Sequence, residues 1–215
     1  MHFISEELDN YVVSHSEDEP KLLQALTRET YQKILQPRML SGHYQGRVLS
    51  IISKLVNPKN ILEIGTYTGY SALCLAEGMQ NNGELHTIDI NEELFDFQRK
   101  YFDLSDYGSH IHQHLGNALD IIPKLDMTFD LVFIDADKEN YSAYFDCIID
   151  KLNPGGIILS DNVLWSGKIL DIRFKKEDKA TPALIEYNKL LKDDPRIETV
   201  LLPIRDGLTI SRKKR

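Results

Sequence analysis

Two aspartates and an asparagine stand where apolar runs stop. Asp135 follows Phe129-Asp130-Leu131-Val132-Phe133-Ile134, and Asp161-Asn162 follow Gly155-Gly156-Ile157-Ile158-Leu159-Ser160. If both runs are strands of one doubly wound sheet, their ends can be neighbours, and three oxygen-bearing side chains converge from sites 26 residues apart. Two carboxylates and an amide suit a hard divalent cation, Mg²⁺ first and Mn²⁺ or Ca²⁺ as substitutes, with other positions left to water or substrate. No Cys or His recurs at these strand ends, which disfavours zinc there. The competing reading is that each side chain caps the helix or turn behind it, as is common for any single one. Lys138 lies three residues past Asp135. A nearby cation would disfavour its ammonium and fit it for general-base work. On spacing alone, a solvated lysine in a first helical turn, with Asp137 as N-cap, is the plainer reading.

A second group surrounds Glu63-Ile64-Gly65-Thr66-Tyr67-Thr68-Gly69-Tyr70-Ser71. Its glycines let the chain turn and a ligand approach the backbone, and the helix that follows offers free N–H groups. The middle glycine of the dinucleotide fingerprint is replaced by Tyr67, and an ordinary strand-to-helix turn would look the same. Asp89, about 20 residues on and at the end of the next strand, is placed to accept from ribose hydroxyls; it could equally cap the helix beginning at Asn91. Glu63 adds a carboxylate expected to face the same crevice. An acidic rim suits a cationic nucleoside better than a pyrophosphate.

The elements that must position these groups follow from periodicity. Leu22, Leu23, Leu26, Tyr31, Ile34 and Leu35 have roughly helical spacing up to Pro37, and a second helix is expected over Gln45–Leu55. From Asn60 short apolar runs alternate with helical stretches, and Asn153-Pro154-Gly155-Gly156 reads as a turn before the strand Ile157–Ser160. The pattern predicts an α/β fold: a doubly wound, mostly parallel sheet covered on both faces. Beyond the charged stretch 171–182 comes one more helix, then two strands around Arg205-Asp206, close enough to form an antiparallel hairpin. The expected organisation is one domain, with a helical segment over 1–55 and an α/β core over 56–215. His110, His112 and His114 alternate and are expected on one strand face, solvated rather than metal-binding.

Composition bounds the class. The chain has 215 residues, 42% of them hydrophobic, and a net charge of −8, which argues against nucleic-acid binding by bulk charge. Two cysteines in apolar settings, Cys74 and Cys147, offer no disulfide framework, and neither a secretory layout nor a membrane-length apolar run is present. A soluble, cytoplasmic domain with no membrane partner is the expectation.

The segments ILEIGTYTGYSALCLA, LHTIDI, FDLVFIDADKENY, LNPGGIILSDNVLWSG and DGLTISRK together resemble the cation-dependent O-methyltransferases of the catechol and caffeoyl-CoA type. The resemblance runs in order from Met39 to Lys213. It implies a class I methyltransferase fold, a seven-stranded sheet with an antiparallel C-terminal hairpin, that binds S-adenosylmethionine. It places Met39, Glu63, Gly65, Tyr67, Ser71, Asp89, Ala118 and Asp135 at the cofactor, with Asp89 on the ribose and Ala118 beside the adenine. It further implies metal ligation by Asp135, Asp161 and Asn162, Lys138 as general base, and a homodimer. Trp165 could wall the acceptor pocket or be an ordinary core residue.

Gly42-His43-Tyr44 and Arg205 depart from the family pattern and bear on the acceptor side. The expected acceptor is a small catechol-like or caffeoyl-type hydroxyl compound. Two other readings stay open: methylation of a hydroxyuridine in tRNA, and an S-adenosylmethionine-binding regulatory module without transfer. Charge keeps the tRNA reading open, since residues 1–172 carry −13 and residues 173–215 carry +5.

Overall fold

The computed structural model describes residues 5–170 and 177–215. The N-terminal segment forms α1 (Glu6–Ser14), α2 (Lys21–Lys33) and α3 (Gly42–Val56). The core then alternates: β1 (Asn60–Ile64), α4 (Tyr70–Ala76), β2 (Glu84–Asp89), α5 (Phe95–Asp103), β3 (Ile111–Leu115), α6 (Ala118–Ile121), β4 (Phe129–Ile134), α7 (Tyr141–Ile149) and β5 (Leu152–Asp161). It ends with α8 (Ala180–Asp193), β6 (Ile197–Leu202) and β7 (Leu208–Lys213).

The strands make one seven-stranded sheet in the order β3-β2-β1-β4-β5-β7-β6. All pairs are parallel except β5–β7 and β6–β7, so the expected antiparallel hairpin closes one edge. Order reverses between β1 and β4, which opens a crevice beyond their carboxyl ends. β1, β4 and the second half of β5 are almost wholly buried because helices cover both faces. One apolar cluster packs Tyr141, Phe145 and Ile148 of α7 and Leu184 and Tyr187 of α8 against the sheet. The other packs α4 with Leu23, Leu26 and Leu49 from the N-terminal helices.

Two expectations need correction. Asn153–Gly156 is no separate turn: β5 runs from Leu152, with a register shift against β4 between Phe129 and Leu131. His110 lies outside β3, in the 3₁₀ turn before it, so only His112 and His114 share the strand face. The charged stretch falls partly on 171–176, outside the described residues.

Candidate active site

Gly65 fixes how the crevice begins. Its φ of +96° favours glycine, and a Cβ there would sit 2.0 Å from the Asp135 carbonyl oxygen. Glycine alone therefore lets the loop after β1 pass the end of β4, where Asp135 N–H donates to the Ile64 carbonyl at 2.9 Å. Gly69, at φ +87°, faces the Phe102 ring in the same way. The loop between them is tied down by Asp89: its Oδ2 accepts from the backbone N–H of Thr66 at 3.0 Å and of Tyr67 at 2.7 Å. Its Oδ1 accepts from Asn91 N–H at 2.9 Å, while Asn91 itself caps the turn that follows. Asp89 is thus a loop brace with lone pairs left over for a further donor.

Glu63 does not sit on the rim. It is fully buried beneath the loop, where Oε2 accepts from the Thr87 hydroxyl at 2.5 Å and Oε1 has no partner among the described residues. Burial pushes its carboxyl up to about 8, which makes it neutral at physiological pH. Of the acidic rim expected from Glu63 and Asp89, only Asp89 lines the cleft.

Tyr67 links the loop to the N-terminal segment. Its hydroxyl reaches the carbonyls of Leu35 and Gln36 at 3.1 and 3.2 Å, holding the chain just before Met39 across the crevice mouth. Behind it lies a cleft of about 880 Å³ lined by Met39, Gly65, Tyr67, Ser71, Asp89 and Ala118 at one end. Asp135, Lys138, Asp161, Asn162, Trp165 and Arg205 line the other end. Every anticipated site residue except Glu63 faces this single space.

The second end is built from side chains. Ile134 of β4 is in register with Ser160 of β5, which sets Asp135 beside Asp161. Asp161 is buried, and Asp135 keeps about a quarter of its side chain exposed. Burial first, then the facing charge of Asp135, pushes the Asp161 carboxyl up to about 7. Lys138 is not the solvated lysine that spacing favoured. Its side chain is 9% exposed, and Nζ donates to Asp135 Oδ1 at 3.0 Å and to the Tyr141 hydroxyl at 2.7 Å. Tyr141 in turn donates to the Asp161 carbonyl at 3.0 Å. Asp137 makes no N-cap bond; its carboxylate accepts instead from Tyr144 and Asn140.

Three supporting residues had no assigned role from sequence. Gln45 of α3, 2% exposed, donates from Nε2 to Asp161 Oδ2 at 2.5 Å across 116 residues of chain. Arg205 donates to Gln45 Oε1 at 2.7 Å and to the Ser41 carbonyl, so the β6–β7 turn clamps α3 onto the carboxylates. Tyr141 anchors Lys138 from below. Helical spacing already put Gln45 on α3, but nothing local pointed it at Asp161. His43 is turned away and bonds the Glu17 carbonyl at 2.6 Å. Trp165 serves on both sides: it lines the cleft and packs on the core, with φ +49° where the chain bends after Asn162.

A sheet of this order, with a glycine loop and a braced acid at the reversal point, defines a class I S-adenosylmethionine-dependent methyltransferase. Similarity narrows the class. Residues 13–214 match the O-methyltransferase family model. The chain is 35% identical to a caffeoyl-CoA O-methyltransferase of Petroselinum crispum, over 91% of this chain and 85% of that one. It superposes on the SAH-bound methyltransferase PaMTH1 of Podospora anserina with a TM-score of 0.88 and 30% identity, covering 99% and 97% of the two chains. A Bacillus cereus O-methyltransferase in complex with SAH gives a TM-score of 0.89 at 27% identity, with 97% of each chain covered. The chain belongs to the O-methyltransferase family and is an S-adenosylmethionine-dependent O-methyltransferase.

Proposed function

We propose that the chain methylates one hydroxyl of a small vicinal-diol aromatic, catechol-like or of the caffeoyl type, in a divalent-cation-dependent reaction. The observation that carries this reading is the meeting of Asp135, Asp161, Asn162 and Lys138 at one end of a cleft whose other end holds the glycine loop and Asp89. The donor set fits a hard cation: it is oxygen-only, and the Asp135 and Asp161 carboxylates repel one another, with Lys138 bonded to Asp135 and Gln45 to Asp161. Asp135, Asp161 and Asn162 would hold Mg²⁺, with Mn²⁺ or Ca²⁺ as substitutes. When bound, the cation supplies Lewis acidity that lowers the pKa of an acceptor hydroxyl.

The chain's own residues supply the rest. At the cofactor end, Asp89 accepts from the ribose hydroxyls, Gly65, Tyr67 and Ser71 shape the floor, and Ala118 and Met39 flank the nucleoside. Lys138, held on Tyr141 and acting in its neutral form, would take the acceptor proton as the oxygen bonds in line to the methyl carbon and the sulfonium–methyl bond breaks, releasing S-adenosylhomocysteine. Glu63 supports the loop from beneath instead of touching the cofactor. Trp165 and Arg205 border the acceptor space.

Methylation of a tRNA hydroxyuridine is the other acceptor reading. Within the final basic residues, Arg212 pairs with Glu198, Lys213 Nζ donates to the Ile149 and Leu152 carbonyls, and Lys214 to that of Pro195. Transfer of labelled methyl with and without Mg²⁺, to a panel of catechols and to bulk tRNA, tests the proposal. Mg²⁺-dependent label in a vicinal diol supports it. Label confined to tRNA, or undiminished by chelator, rejects it.

A further inference from the structure

Away from the cleft, at the β3 edge of the sheet, imidazoles gather on one face. The β2–β3 register pairs His86 with His112 and Ile88 with His114, and Glu84 lies two residues before His86 on the same face. The His86 ring stacks on His112 at 4.8 Å and on His114 at 5.1 Å between centroids. One ligand atom from each of Glu84, His86 and His112 lies within 4.8 Å of the other two.

We propose that Glu84, His86 and His112 form a binding site for a transition-metal dication, Zn²⁺ foremost, separate from the catalytic carboxylates. His86 Nε2 and Glu84 Oε2 are 3.5 Å apart. That is close to the ~3.3 Å edge of a tetrahedron whose bonds to zinc are ~2.0–2.1 Å. The His86 and His112 rings stack face to face, so bringing their in-plane lone pairs to one ion requires the half-buried His112 ring to turn, with the half-exposed Glu84 following. His86 Nε2 is buried and makes no hydrogen bond among the described residues, and the group it faces is the Glu84 carboxylate, so a cation between them would satisfy both. Its other nitrogen is already engaged, Nδ1 lying 2.9 Å from His114 Nε2. With the proton on Nδ1, His86 donates to His114 and keeps Nε2 free, the arrangement that orients metal-binding histidines.

Two nitrogens and one carboxylate oxygen, with water completing the set, select Zn²⁺, Co²⁺ or Ni²⁺ over Mg²⁺. The two sites therefore sort cations by chemistry: oxygen-only donors in the cleft, mixed nitrogen and oxygen donors on the sheet. His86 precedes Asp89 by three residues of strand, so the site would pin the edge strand β3 to β2 at ~10 Å from the loop brace.

Co²⁺ is the probe, added to metal-free protein in excess Mg²⁺ so that the cleft carboxylates are covered. The expected result is one equivalent bound with visible ligand-field absorption, displaced by Zn²⁺, and weakened at least tenfold in His112→Gln and in Glu84→Gln. Zn²⁺ should also raise the melting temperature of the wild type and not of His112→Gln, while the shift produced by S-adenosylmethionine is the same in both. His112 is half-buried on an edge strand, and that cofactor-induced shift certifies that the variant is folded. Wild-type protein that takes up no Co²⁺ in excess Mg²⁺, or uptake unchanged in both variants, overturns the site.

Discussion

The two ends of the cleft are made differently. The end beyond β1 and β2 is backbone architecture: two glycines at positive φ, a loop whose N–H groups are held by Asp89, and a tyrosine that ties the N-terminal segment over it. The end beyond β4 and β5 is side-chain architecture, in which Asp161 depends on Gln45 from α3, Gln45 on Arg205 from the β6–β7 turn, and Lys138 on Tyr141. A common cofactor needs a fixed cradle, and short-range chain geometry supplies one. The proposed acceptor and cation would need charges held close together, and long-range contacts hold these charges. Mutations at the two ends should therefore separate cofactor binding from transfer.

Lys138→Met should show the separation most strongly. Loss of a general base costs about 10²–10⁴ in rate, and calorimetry should find S-adenosylmethionine affinity unchanged. Gly65→Ala attacks the opposite end. Its Cβ would meet the Asp135 carbonyl at 2.0 Å in a left-handed backbone conformation. Overpacking together with that conformation costs about 2–5 kcal/mol, read as a melting temperature lower by roughly 5–15 °C with cofactor affinity reduced as well. Gln45→Leu strips the buried donor from Asp161 without touching the loop. Losing such a supporting partner typically costs about 10–100-fold, so the Mg²⁺ concentration for half-maximal rate should rise by that factor.

How far each end was legible follows the same division. Gly65, Gly69 and Asp89 could be read because their roles are local: a strand end, a tight turn, an acid at the next strand end. The sheet itself was legible from buried apolar runs alternating with helices, down to the terminal hairpin. The Lys138 reading was not settled by spacing, because what removes it from solvent is Tyr141 beneath it and Asp135 beside it. Gln45 and Arg205 meet across 160 residues, and no periodicity encodes that contact. Glu63 lies in the interior and not on the expected rim for a related reason. Strand alternation places a side chain on a face, but only the packed structure decides whether that face is rim or interior.

Glu63 gives the effect most diagnostic of position, and the smallest expected at the cofactor. Its carboxyl is held at about 8 against an ordinary 4.5, so the folded protein keeps this proton at pH values where the unfolded chain has lost it. The stability this provides is present below the lower value and is lost as pH rises towards about 8. Glu63→Gln cannot ionise. Its denaturant midpoint should therefore fall less than that of the wild type across this window, by an amount on the order of a few kcal/mol in stability, with cofactor affinity nearly unchanged. A large loss of affinity would return Glu63 to the cleft wall.

The most direct test of a cleft with two separable ends is removal of divalent cations by a chelator, with both ends read on the same sample. S-adenosylmethionine should bind with undiminished affinity by calorimetry while transfer to a vicinal diol falls at least about 100-fold and returns with Mg²⁺. Full-rate transfer in chelator, or parallel loss of cofactor binding and transfer, would contradict it.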